Sequence, residues 1–162
     1  MKNMAEKKSK IEEEIPSKEE AVKVFDPALS PLFDRFREKI NKIQQDPPQL
    51  LHIEGGSADL RTAFAHYYAA LFFCQSPEHC FNEREKASLY GENIQPCIHC
   101  PECFKVAAHM HPDLFVFDSR EANIDVDSMR ELKKISTEAP RFARKRLVLL
   151  LETQKLSAVS GN

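Results

Sequence analysis

The chain reads as an α/β protein built on a parallel sheet, and three observations carry that reading. Apolar runs of strand length alternate with longer stretches whose apolar residues recur at helical spacing. The most apolar run, Arg146 to Leu151, holds four leucines and one valine, the composition of a central parallel strand covered on both faces. Successive runs are separated by enough residues for helical crossovers, which are right-handed in such sheets.

The first twenty residues carry five lysines against six glutamates and almost no large apolar side chain. That is too little to offset the entropy of ordering, and residues 1–25 are read as a disordered charged tail. From Pro31 to Gln45, Leu32, Phe33, Phe36, Ile40 and Ile43 fall on one helical face, and Asp46-Pro47-Pro48 ends the helix. Gln49 to Ile53 is the expected first strand, leading into Glu54-Gly55-Gly56-Ser57. A second helix is expected from about Asp59 to Cys74, with Ala63, Phe64, Tyr67 and Leu71 inward. Residues 75–96 are polar and irregular, an excursion from the core. Leu114 to Phe117 is the next strand, and Asp125 to Glu138 a helix with Val126, Met129, Leu132 and Ile135 inward. Leu147 to Leu151 closes the series.

Composition bounds the function. At 162 residues the chain has room for one ordinary domain, and its 42% hydrophobic and 30% charged residues are those of a soluble globular protein. A net charge of −2 excludes a uniformly basic nucleic-acid binder, though not a local basic patch. No apolar run approaches the roughly 18 residues of a membrane span. The opening Met1-Lys2-Asn3-Met4-Ala5-Glu6 has no apolar signal core behind it, so a cytoplasmic, reducing setting is expected, in which the five cysteines bind metal rather than pair. With only four glycines (Gly55, Gly56, Gly91, Gly161), a phosphate loop built on repeated glycines has little to draw on.

The strongest motif is Cys97-Ile98-His99-Cys100-Pro101-Glu102-Cys103. Three thiols at this spacing can converge on one tetrahedral zinc, and a closed structural site needs a fourth ligand. Cys74 and Cys80 are the candidates, with His99 and His79 as poorer ones. A c-type haem would need His directly after the second Cys, where Pro101 stands. The second motif is Gly55-Gly56-Ser57-Ala58-Asp59-Leu60-Arg61-Thr62, between strand and helix, where a phosphate loop would sit. Against G-x-x-x-x-G-K-[ST], the first Gly and final Thr are present, but Leu60 replaces the second Gly and Arg61 the Lys. A plain strand–turn–helix reads this stretch as well on spacing alone.

Around these two motifs the chain resembles the N-terminal AAA+ module of the bacterial replicative clamp-loader family, and within it the delta-prime branch. The matching pieces come in order: Leu50-Leu51-His52-Ile53, Leu71-Phe72-Phe73-Cys74, Pro96-Cys97-Ile98-His99-Cys100-Pro101-Glu102-Cys103, His111-Pro112-Asp113-Leu114, and Ile124-Asp125-Val126-Asp127-Ser128-Met129-Arg130-Glu131-Leu132. The resemblance covers roughly residues 27–162. It implies a P-loop NTPase-like parallel sheet over a partial AAA+ domain, residues 26–162, with a zinc knuckle inserted over about 74–104. It implies Cys74, Cys97, Cys100 and Cys103 as zinc ligands; the stretch between Cys74 and Cys97 is longer than is usual and contains Cys80, which stays as the alternative to Cys74.

The resemblance also places Leu151-Glu152 where ATP-hydrolysing relatives carry an acidic pair, so Glu152 is kept while the magnesium ligand is a leucine. Leucine at 60 obstructs the close backbone approach a phosphate needs, Arg61 replaces a compact ammonium with a planar fork, and Glu54 and Asp59 add negative charge. With phosphate cradle (Gly55, Gly56, Leu60, Arg61, Thr62) and metal ligand both lost, neither ATP binding nor hydrolysis is expected, and the chain is read as no enzyme by itself. The implied role is a non-hydrolysing, stator-like subunit of DNA polymerase III's clamp loader. Its expected partners are the gamma/tau and delta subunits and, through the complex, the sliding clamp and primed DNA. The chain stops at Ser160-Gly161-Asn162 inside what the family continues as a helix, so a truncated module is expected, poorly soluble or partly ordered alone. Two rivals are an independent zinc module binding nucleic acid or protein, with Lys105, Lys86 and Arg84 the few basic residues near it, and an ATP-hydrolysing motor subunit.

Overall fold

The computed structural model describes residues 16–44, 46–75, 95–121, 124–143 and 145–153. Among the described residues the regular structure includes six α-helices and a two-stranded sheet: α1 (Lys18–Val22), α2 (Asp26–Leu29), α3 (Asp34–Gln44), α4 (Ala58–Phe73), α5 (Pro101–Ala107), β1 (Leu114–Asp118), α6 (Val126–Thr137) and β2 (Leu147–Leu151). Short 3-10 turns at Lys23–Phe25 and Pro31–Phe33 join the first three helices. The mixed α/β class expected from the sequence is present, with β1 and β2 parallel and α6 as their crossover.

The reading of residues 1–25 as a disordered tail needs correction. Residues 1–15 lie outside the described residues, but 18–25 are helical. Ser17 caps α1: its Oγ accepts the Glu20 N–H at 3.2 Å while the Glu20 carboxylate accepts the Ser17 N–H at 3.1 Å, a reciprocal capping box. Ala21 and Phe25 are buried, so this segment belongs to the core.

α4 is the axis of the molecule. Every residue from Ala63 to Leu71 is buried, the mark of a helix covered on all sides. α2 and the turn before it cover one flank, α5 another, and β2 a third, while α1 packs against α5. Phe33 and Phe36 meet Phe64 at ring-centre distances of 5.1 and 4.1 Å, pinning α3 to α4. Arg37 is buried and donates to the carbonyls of Ala28 and Ser30 at 2.7 and 2.9 Å, satisfying the chain where α2 ends.

In the sheet, Leu114 faces Leu147 and Asp118 faces Leu151. The strand expected over Gln49–Ile53 does not form; residues 50–54 run without a ladder. Among the described residues β2 pairs with β1 alone, and Leu50–Glu54 lie across a cleft of about 1160 Å³ from β2 and α6. An apolar segment without a partner strand at hydrogen-bonding distance is not a strand, whatever its composition.

Asp113, fully buried, organises the turn into β2. Its carboxylate accepts the backbone N–H groups of Arg141, Phe142 and Ala143 at 2.6, 2.7 and 2.8 Å, and Arg146 Nε lies 3.8 Å away. Burial alone would raise its pKa, but these three donors outweigh it and hold the carboxyl below the usual range.

Candidate metal centre and degenerate phosphate loop

The Sγ atoms of Cys74, Cys97, Cys100 and Cys103 all lie within 4.8 Å of one another. Cys74 ends α4, Cys97 and Cys100 flank a turn in which Ile98 takes φ 66°, and Cys103 sits in the first turn of α5. The Cys74–Cys97 and Cys97–Cys103 sulfur distances are 3.6 and 4.0 Å. Thiolates about 2.3 Å from a tetrahedral zinc lie about 3.8 Å apart, so the spacing of this donor set is close to what that ion needs. Backbone N–H groups already point at the sulfurs: Cys97 N–H at Cys74, Cys100 N–H at Cys97 and Cys103 N–H at Cys100, at 3.5, 3.3 and 3.4 Å. Such donors orient thiolates and offset their charge. As thiols the group is crowded: the Cys103 pKa is pushed up by its hydrogen bond with Cys74 and by burial, that of Cys97 chiefly by burial. A bound dication acts the other way, favouring thiolates. His99 is exposed, while Cys80 and His79 lie outside the described residues, as do Arg84 and Lys86.

Beside the centre, Glu102 accepts from Lys105 at 2.8 Å and pairs with His111 Nε2 at 3.3 Å. His111 Nδ1 accepts the Asp113 N–H at 3.1 Å and the ring stacks on Phe73 at 3.8 Å. The His-Pro-Asp motif thus ties α5, α4 and β1 together.

The Glu54–Ser57 turn before α4, where the sequence suggested a degenerate phosphate loop, is filled by the chain's own side chains. Arg61, on the first turn of α4, reaches the end of β2: Nε and Nη2 donate to Glu152 Oε1 at 3.1 and 2.7 Å, and Nη2 also to Oε2 at 2.9 Å. Nη1 donates to the carbonyls of Gly55 and Gly56 at 3.1 and 2.7 Å. The fork therefore spends all its N–H donors inside the protein. The loop presents carbonyl oxygens to a guanidinium, the reverse of the N–H array that cradles a phosphate. Gly55 and Gly56 have φ of 85° and 63°, and Leu60 Cδ2 comes within 3.0 Å of where a Gly56 Cβ would stand, closing the hollow. Leu151 is buried in the core, and Glu152, at φ 56°, is buried under Arg61. Arg120 extends the network, bound to Asp118 at 2.5 Å and reaching Asp59 at 3.4 Å.

A third feature escaped the sequence reading. His66, fully buried in α4, faces His109 with Nε2 atoms 2.7 Å apart. Because His66 Nδ1 donates to the Thr62 carbonyl at 2.8 Å, its Nε2 accepts and His109 donates. His109 occupies the left-handed position after α5 (φ 56°), with its N–H on the Val106 carbonyl and that of Met110 on Lys105, where helices usually place glycine. A left-handed histidine was the one signal, and it is invisible before the backbone is known. Burial lowers the His66 pKa to about 4. A depressed histidine means the unfolded chain binds the proton first, so stability is full above pH 6.5 and falls as the pH drops towards 4. The loss should be on the order of 2–3 kcal/mol, read as the difference in pH-dependent melting between wild type and His66→Phe.

A sequence profile of the family described as DNA polymerase III, delta subunit, matches residues 30–162. DNA polymerase III subunit delta' of Pseudomonas aeruginosa is 29% identical over 104 residues, which are 63% of this chain and 27% of that protein. No solved structure matches the chain. Among the described residues no helix is long and apolar enough to cross a membrane. The profile's span, which takes in the Gly55-Gly56 turn, the four clustered cysteines and both strands, is decisive: the chain belongs to the DNA polymerase III delta-prime family of clamp-loader subunits.

Proposed function

We propose that the chain is a non-hydrolysing, stator-like subunit of a bacterial clamp loader, built on a partial AAA+ domain over residues 26–162 with a structural zinc on Cys74, Cys97, Cys100 and Cys103. It would work in the cytoplasm alongside gamma/tau and delta subunits, aiding the loading of a sliding clamp onto primed DNA as a component of the polymerase III holoenzyme. The Arg61–Glu152 clamp carries this reading. A nucleotide entering the loop would have to break the Arg61 hydrogen bonds and leave Glu152, whose side chain is 6% exposed, without its counter-charge. No magnesium ligand would repay that, since Leu151 faces the core. A family match extending from residue 30 to 162 weighs against an independent zinc module, which would need the knuckle alone.

Calorimetric titration with magnesium ATP up to millimolar concentration tests the reading. The expected result is no saturable heat and no phosphate release above background. Micromolar binding would overturn it and favour a motor subunit. Removing the clamp should not rescue activity: Arg61→Ala is expected to lose about 1–3 kcal/mol of stability and still hydrolyse nothing.

A further inference from the structure

We infer that the exposed loop carrying Arg141, Phe142 and Lys145 is a docking surface for single-stranded DNA, with phosphates on the two basic side chains and a base on the Phe142 ring. The choice of DNA rests on the ring-subunit reading, and the inference deepens it by giving this chain a DNA contact of its own.

Charge is the first observation. The whole chain is at −2, yet residues 130–146 contain seven Arg and Lys against two Glu. Two of the seven are committed elsewhere: Arg146 is turned inward onto Glu138 and the Ile135 carbonyl, and Arg130 pairs with Asp127. Arg141 and Lys145 are exposed, as are Lys133 and Lys134 on the last turns of α6 just before the loop. Such a concentration attracts a polyanion whatever the net charge of the protein.

The aromatic is the second. Phe142 is 82% exposed between basic residues. It is not a loose side chain on a loose loop, because the backbone N–H groups of 141, 142 and 143 are all held by the buried Asp113 carboxylate. The fold therefore fixes the backbone that carries this exposed ring, with Arg141 before it in sequence and Lys145 three residues after it. An aromatic platform beside backbone-tracking positive charge is how single strands are bound, since every unstacked base offers a π-face. Duplex DNA offers no free face to such a ring, and an acidic protein would use the charges but leave the ring without a partner of its kind. DNA is chosen over RNA on the family membership.

The test is fluorescence anisotropy of the whole chain with a labelled oligo-dT of about twenty nucleotides, from about 50 mM salt upward. Wild type is expected to bind, with affinity falling as salt rises. Arg141→Glu with Lys145→Glu should weaken binding at least about tenfold and flatten the log–log salt slope by about 1.4, two lost phosphate contacts. Phe142→Ala should weaken it about tenfold with the salt slope unchanged. Lys39→Glu, an exposed change on α3, should leave it intact. Unchanged melting curves establish that the variants fold. Absence of binding at low salt, equal affinity for the double variant, or equal weakening by Lys39→Glu each overturns the inference. So does tighter binding of oligo-U, or of polyglutamate with the same losses in the variants.

Discussion

Replacing Cys103 with serine is expected to empty the metal centre and melt the knuckle with it. Wild type should carry about one zinc per chain, and the variant almost none by metal analysis. Cys103 is fully buried and its sulfur joins three others, so no water can substitute for it without opening α5. Structural zinc sites of this donor type supply roughly 10–16 kcal/mol of apparent binding energy in isolated peptides, energy that appears as folding energy when no site exists beforehand. Here part of the site is prefolded on α4, so the expected loss is a fraction of that figure, still enough to lower the melting temperature by many degrees. Cys80→Ser should retain full zinc. Zinc retained by Cys74→Ser but lost by Cys80→Ser would refute the ligand set, and a metal-free wild type after zinc-supplemented expression would refute the site.

Asp113→Ala should be nearly as damaging, at about 3–5 kcal/mol in denaturant melts. The substitution strands three backbone donors on residues 141–143 and removes a fully buried counter-charge 3.8 Å from Arg146 Nε. Asp113→Asn keeps one acceptor oxygen and should lose roughly half as much. The pH dependence has a definite sign. A carboxyl held below its ordinary value contributes stability that is complete above the unfolded pKa near 3.8 and disappears as the pH falls through the lower folded one. The alanine variant should therefore show a shallower acid transition than wild type below about pH 4. An identical slope would mean that the carboxylate is not the anchor.

What the sequence disclosed was local. The cysteine spacing pointed to the knuckle because three ligands lie within seven residues, and the crossover helix over 126–137 was legible from its period. The first helix was missed although Ser17 and Glu20 stand at capping-box spacing, because the lysine and glutamate run around them masked Ala21 and Phe25. The strand over 49–53 was misread because a strand is a relation between segments, and among the described residues no strand pairs with this one. The His-Pro-Asp motif was visible, but its meaning depends on backbone groups 28 to 30 residues away. The link from Arg61 to Glu152 spans 91 residues and exists only in three dimensions.

That link has an evolutionary consequence. On the non-hydrolysing reading proposed above, a lineage moving toward nucleotide chemistry would meet a ratchet at each single step. Leu151→Asp would place a carboxylate in the core before any metal could accompany it, and Leu60→Gly would open a hollow that Arg61 still fills. Arg61→Lys would trade a fork satisfied on Glu152 and two carbonyls for a single ammonium that cannot reach all of them, leaving a buried acid short of partners. Each reversion is harmful until the others are made, because the residues act as one unit rather than as independent losses. On that reading, folding stability alone would hold such a chain away from nucleotide chemistry.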